Sequence, residues 1–335
     1  MSALRIILAN SFLLFVSHTV MAATLEVSVR EGDRLVLKGL EAHVMISAVP
    51  AAGQSAGTLR VSGVEESGPE GTYVLTKKDN VIEVRMIEHS GKKAWLGTLP
   101  KAASHARKID ISGAALPADI QLRGGVVTSQ KWSKDLKVSM TQGRVSLFNG
   151  TGSAQVYLQK GDVSVIDHTG KVVADSYSGN MSLKNIQGDV DASLFSGQLA
   201  IEKVRGFLSL STQQSTSKVN LSSGTIQFEN GKGTLNIQAF QGRMEGQNQE
   251  GTVVIGMALD SEVDVKSKAG RINITAPPSS GSSVNLLTVE GEILVPNELK
   301  VTKLSAEKSV RGRLRGDAQR GSIFVRSQDG SISVK

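Results

Sequence analysis

The sequence predicts an all-β fold in which short strands stack into a β-solenoid of about 18 residues per coil, and three observations carry that prediction. Glycine recurs at a nine-residue spacing, apolar residues follow most of these glycines at the second and fourth places, and no proline occurs between Pro117 and Pro277. Alternation of apolar and polar residues is the mark of a half-buried strand. Proline has no N–H to give to a ladder, so its absence fits uninterrupted pairing.

Taken in order, the chain opens with Arg5, the apolar run "IILANSFLLFV" and the small-residue boundary Val20-Met21-Ala22. Residues 1–22 read as a secretory signal peptide cut before Ala23. Asn10, Ser11 and Ser17 interrupt the run, which favours an export signal over a membrane anchor, and no later segment is apolar for long enough to span a bilayer. The expectation is an exported protein, periplasmic or at the cell surface. It has no cysteine and needs no disulfide. Its formal charge of +7, or +6 once Arg5 is removed, is spread thinly and names no partner. With 4% aromatic residues and 35 glycines, the composition suits thin aliphatic cores and argues against a pocket walled by aromatic rings.

Residues 23–140 contain the strand-like runs "TLEVSV", "DRLVLKG", "HVMISAV", "TLRVSGV", "TYVLTK", "VIEVRMI" and "KIDISG" at loose spacing. They are expected to form an N-terminal β region that caps the first coil, since an open stack otherwise polymerises through its edge. Residues 141–276 form the regular part. Counting in nines from Gly143 to Gly251 meets glycine at 12 of 13 positions, with Ser215 the exception, so the spacing is not chance. Every second unit places Val165, Leu183, Ile201, Val219, Ile237 and Ile255 inward, all branched aliphatics. The alternate column, Val156, Ala174, Ala192, Leu210, Phe228 and Gly246, is mixed and often small, as a facing wall of a thin core would be. That difference selects two strands per coil over three. It also sets Lys171 beside Asp189 and Lys184 beside Glu202, opposite charges that a ladder favours. Residues 277–335 begin within "APPSSGSS" (276–283); afterwards Gly312, Gly321 and Gly330 restore the period, with Leu314, Ile323, Val325, Ile332 and Val334 inward, and should complete the stack.

The succession of "GDRLVLKGLEAHVMISAV", "NVIEVRM", "KIDISGAALPADIQLRGGVVTSQKWSKDLKVSMTQGRVSL" and the alternating "SGNMSL" and "QGDVDA" units resembles the bacterial adhesin-like, or toast-rack, family of β-strand-repeat proteins. The resemblance covers most of the chain after the signal peptide and departs at "APPSSGSS". It implies an exported, right-handed β-solenoid, adhesive or envelope-associated, without an assigned catalytic site.

The residues themselves were weighed for chemistry. A calcium-binding nonapeptide repeat needs an aspartate at a fixed place in each unit, whereas the fifth position after glycine reads Phe148, Ile166, Lys184, Glu202 and Gln238. "GQSAG" around Ser55 imitates a nucleophile elbow but leads into another strand instead of a helix. His43, His89, His105 and His168 are scattered. Asp189 and Asp191 flank inward Val190 and share a face about 7 Å apart, a carboxylate separation used by inverting glycoside hydrolases. Lys171 beside them would keep Asp189 ionised when a general acid must hold a proton. In "SVRGRLRGDAQRGSIFVRS", Arg311, Arg313 and Arg315 alternate about inward Leu314, with Arg320 and Arg326 following, a basic row suited to phosphate or carboxylate. Asp317 and Asp329 neutralise part of it. No aromatics are interleaved for base stacking, so nucleic acid is not expected. Asn149, Asn180, Asn220 and Asn273 match glycosylation acceptors but suit ordinary turns and strands.

The reading is a non-catalytic, cofactor-free exported module that acts at the cell envelope by adhesion, binding or structure. Its expected partners are anionic glycan or lipid headgroups, or an envelope protein, met through Arg311, Arg313, Arg315, Arg320 and Arg326. The alternatives are a carbohydrate-active β-helix enzyme centred on Asp189 and Asp191, and a periplasmic scaffold for a protein partner.

Overall fold

The structure is a computed structural model and describes residues 24–49, 57–65, 72–87, 107–220, 222–317 and 320–335. The signal-peptide reading, Ser55, His89 and His105 fall outside these. The described residues form an all-β chain without helix, and the strands join in one long, mostly parallel, open sheet.

Its central part comprises β7 (Ala118–Gln130), β8 (Leu136–Phe148), β9 (Ala154–Thr169), β10 (Val172–Gln187), β11 (Val190–Asn220), β12 (Ser223–Asn230), β13 (Thr234–Asn248) and β14 (Thr252–Met257). Before it lie β1 (Thr24–Ser28), β2 (Arg34–Ser47), β3 (Thr58–Ser62), β4 (Tyr73–Lys78), β5 (Val81–Met86) and β6 (Arg107–Gly113). After it come β15 (Glu262–Ser267), β16 (Arg271–Thr275), β17 (Ser283–Thr288), β18 (Ile293–Leu294), β19 (Thr302–Leu304), β20 (Glu307–Arg313), β21 (Ser322–Ser327) and β22 (Ser331–Val334).

From Ala118 onward the parallel pairing keeps one offset of 18 residues: Ala118 pairs with Leu136, Leu136 with Ala154, Val172 with Val190 and Arg205 with Ser223. A register shift after Ile237 brings Phe240 opposite Met257, an offset of 17, and the pairs beyond it run at 19, as in Arg243 with Glu262 and Thr252 with Arg271. Each unit contributes to two rows. The first row holds 154–158, 172–176 and 190–194 and their equivalents; the second holds 163–166, 181–184 and 199–202 and theirs. In both, alternate residues are buried in one continuous hydrophobic core.

The glycines stand where the chain passes between rows. Gly161 has φ +135°, and a Cβ on it would lie 1.9 Å from the carbonyl oxygen of Gly143 in the preceding unit. Gly179 stands the same way over Gly161. The period therefore records a close backbone approach as well as a conformation that side chains rarely adopt. The return passage uses left-handed residues that do carry side chains, Lys131, Asn149, Asp167, Asn185 and Lys203, with φ of 52° to 57°. Asn and Asp tolerate this region better than most residues, and Asn185 Nδ2 donates to Asp167 Oδ1 at 2.7 Å.

Both predicted inward columns are buried, and the small members have a use: Gly246 accommodates the Phe228 ring, which a Cβ there would meet at 2.0 Å. One inward column turns polar along the ladder. Thr212 Oγ1 donates to Asn230 Oδ1, Asn230 Nδ2 to Asn248 Oδ1, and Asn248 Nδ2 to Ser267 Oγ and the carbonyls of Gly251 and Ala269. Every link stays between 2.8 and 3.1 Å, so these buried amides are satisfied.

Chain order breaks at both ends. β2 pairs in parallel with β7 on one edge and with β5 and β6 on the other, beyond which β4, β3 and β1 run antiparallel. At the far end β21 enters between β15 and β17, and β22 between β16 and β18. Gly321 and Gly330 thus restore the parallel stack as expected. Gly312 does not. It lies on β20, which folds back from β19 through a hairpin and pairs antiparallel with β17.

Candidate functional site

The basic row is placed by this hairpin. Leu314 is buried and Arg311, Arg313 and Arg315 are exposed, but β20 ends at Arg313, so only Arg311 and Arg313 share a strand face. Arg313 Nη1 donates to Gly281 O at 3.4 Å. Arg320 pairs with Asp260 at 3.2 Å, and the Arg326 guanidinium stands 4.5 Å from the Phe324 ring centroid. The arginines of the row thus meet different neighbours. Cross-strand register puts Arg311 in line with Asn285, Phe324 and Asp264, and Arg326 in line with Leu287 and Lys266.

Asp189 and Asp191 are both exposed beside buried Val190. Asp189 Oδ1 accepts the Phe207 N–H at 3.2 Å, so its carboxylate is held by backbone and forms no ion pair with Lys171. The companion expectation is met, since Lys184 and Glu202 pair at 2.9 Å and the lysine's hydrogen bond holds the Glu202 carboxyl below its usual range. Among the described residues, no cluster of three or more His, Cys, Asp or Glu side chains is arranged to hold a metal ion. His43 is exposed on β2. His168 is buried: Nε2 lies 3.0 Å from Gly152 O, Nδ1 has no partner, and burial lowers its pKa. It packs at Gly150, within a small space also lined by Trp132, and belongs to the core.

The feature that composition argued against lies on the outer side of the first row. Among the described residues between Ala118 and Met257 the exposed large apolar side chains are Tyr157, Tyr177, Phe195 and Phe207. All four are aromatic: Tyr157 occupies an outward position of that row, Tyr177 and Phe195 the position just after 172–176 and 190–194, and Phe207 the position just before 208–212. Tyr177 and Phe195, one unit apart, stack with ring centroids 4.7 Å apart and planes 5° from parallel. Lys137 Nζ lies 5.8 Å from the Tyr157 centroid. Between Tyr157 and Tyr177 opens a cleft of about 420 Å³, with Met140 and Leu158 at its base and Ser139, Thr141, Gln159 and Asp175 around it. Farther along the same side a second cleft of about 440 Å³ is lined by Glu229, Glu245, Asp264 and Lys266, with Phe228 and Gly246 beneath. The outer side of the second row carries Ser146, Ser164, Ser182 and Ala200 in register. The eighteen-residue offset aligns Tyr177 with Phe195 in the sequence itself.

No family profile matches the chain, and no curated protein matches it. Among solved structures, a "putative cell adhesion protein" from Clostridium sporogenes aligns over 94% of this chain and 99% of its own, at 10% identity and a TM-score of 0.17. A likeness at that score carries no argument about either fold or activity.

Proposed function

We propose that this chain is a non-catalytic, exported binding module of the cell envelope, a right-handed β-solenoid that uses its outer surface to hold a ligand or a neighbouring structure. The observation that carries this reading is the inequality of the two outer sides. Exposed aromatics gather along the first row, where folding does not require them, while the outer positions of the second row hold Ser146, Ser164, Ser182 and Ala200 beside half-buried Phe148 and Ile166 and the Lys184–Glu202 pair, with no exposed ring. Exposed apolar patches in an otherwise well-buried chain mark contact surfaces. Against a hydrolase stands the solvated, backbone-bonded state of Asp189, with no partner that would raise a neighbouring carboxyl into a general acid.

The test is binding of the purified chain to an array of envelope glycans and lipids at two salt concentrations, beside an Arg311→Ala, Arg313→Ala, Arg315→Ala variant. Binding to any member supports the module; salt-sensitive binding that the variant loses assigns it to the arginines. No binding anywhere overturns the reading. Turnover of an envelope glycan that Asp191→Asn abolishes would replace it with the enzymatic one. Cell fractionation of the full chain, followed by N-terminal sequencing of the mature product, tests export and cleavage before Ala23.

A further inference from the structure

We infer that the cleft between Tyr157 and Tyr177 is a binding site for a neutral sugar ring of a glycan; the inference rests on the binding-module reading and names the ligand class of one site within it. Phe195 covers one face of Tyr177, the parallel register places Gln159 beside the other, and Tyr177 and Gln159 together line the cleft. A ring that is 60% exposed yet braced by a parallel neighbour is presented in one orientation before any ligand arrives. Such preorganisation lowers the ordering cost of binding.

The chemistry of the lining selects the ligand. A pyranose has a face of C–H groups that lies flat on an aromatic ring and a rim of hydroxyls that both donate and accept. Met140 and the two tyrosines supply the apolar surface, while Asp175 accepts and the Gln159 amide does both. No lysine or arginine lines the cleft, Lys137 stands 5.8 Å from the Tyr157 centroid, and the Asp175 carboxylate in the lining disfavours an anionic ligand. An extended peptide is disfavoured for a separate reason. β9 is paired by β8 on one edge and β10 on the other, leaving no free backbone for an added strand. The volume of about 420 Å³ lies within the range of small-ligand sites.

The experiment is calorimetric titration of the full chain with three uncharged hexasaccharides, of N-acetylglucosamine, of β-linked glucose and of α-linked glucose, at low and high salt. At least one should bind, with an affinity that salt leaves unchanged. Tyr177→Ala should weaken it about tenfold or more, as loss of a central aromatic contact does, while Tyr177→Phe keeps it within about threefold. Ser164→Ala on the second row should bind as the parent does. Unchanged melting curves confirm that each variant is folded, since Tyr177 is exposed. Absence of binding to all three sugars, binding unaffected by Tyr177→Ala, or binding lost on removal of the arginines overturns the inference. Array binding that survives Tyr177→Ala would leave the wider reading standing without this site.

Discussion

The two rows of the ladder share a backbone, a period and a core, yet their outer sides differ in kind. On the second row the sequence 146, 164, 182 and 200 is Ser, Ser, Ser, Ala; on the first, positions 177 and 195 are stacked rings and 157 is a third. Both sides satisfy the same alternation, so nothing in strand formation requires the rings. What the fold demands appears in both rows, and what appears in one row alone reflects use of the surface. Perturbations therefore sort by where they act: on the passages common to both rows, within the core beneath one side, or on one outer side alone.

The largest effect is expected at the shared passage. In Gly161→Ala the new Cβ must occupy the place of the Gly143 carbonyl, and φ +135° is closed to alanine. A loss of about 4 kcal/mol or more follows from combined strain and backbone clash, and both rows should fail together in chemical denaturation. Gly57→Ala is the contrast: φ is +73° but no atom lies within 4 Å of the added carbon, so only the conformational cost of about 1 kcal/mol remains.

Next come substitutions beneath the first row. Phe228→Ala empties the space that Gly246 leaves open and should cost about 3 to 4 kcal/mol. Asn230→Ala removes one link from the buried polar column and strands Asn248 Oδ1, while the Thr212 hydroxyl keeps the Glu229 carbonyl at 3.4 Å, at about 2 kcal/mol. If the two outer sides are independent of stability, either variant should keep the sugar affinity of the Tyr177 cleft under conditions where it remains folded, which calorimetry beside a melting curve decides.

How much of this was legible in the sequence follows from whether one constraint is repeated along it. Glycine spacing and the inward columns were readable because every unit solves the same steric problem, and two columns of different size were enough to select the eighteen-residue offset. The left-handed passage was half visible in Asn149, Asp167 and Asn185, and hidden by Lys131 and Lys203, which give no turn signal. Insertion of 322–335 between strands that precede them had no local signature, because parallel partners far apart in sequence look like partners close by. The arginines are adjacent along the chain, which shows neither the hairpin of β19 and β20 nor the Asp260 and Phe324 partners. The Tyr177 and Phe195 pair was available to the same register argument that succeeded for Lys184 and Glu202.

A smaller effect is expected at His168, in the passage from the second row to the first. Burial lowers its pKa from the ordinary 6.5, so the unfolded chain takes up this proton at higher pH than the folded one. Its contribution is fully present above about pH 6.5 and is lost as pH falls toward the lower folded value, below which no further loss accrues. His168→Ile, matching Ile186 on the next unit, should flatten the fall in melting temperature between about pH 7 and about pH 5. A slope equal to the parent's would assign the acid sensitivity elsewhere.

The smallest effect is expected on the outer side of the second row, and its smallness is the point. Lys184 and Glu202 form the best-placed cross-strand ion pair there, at 2.9 Å, and the lysine lowers the Glu202 carboxyl below its usual range. A lowered carboxyl pKa stabilises the fold above the ordinary value of 4.5 and ceases to do so as pH falls through the folded value. Both side chains are well exposed, so solvent and salt screen the pair. Lys184→Ala should shift the melting temperature by no more than the scatter of the measurement at physiological salt, with a small decrease emerging at low salt that vanishes below the Glu202 titration. It should leave sugar binding untouched, because the substitution lies outside the first row. A large loss of stability would mean that the second row's outer charges hold the ladder together, and the contrast between a structural side and a binding side would have to be drawn differently.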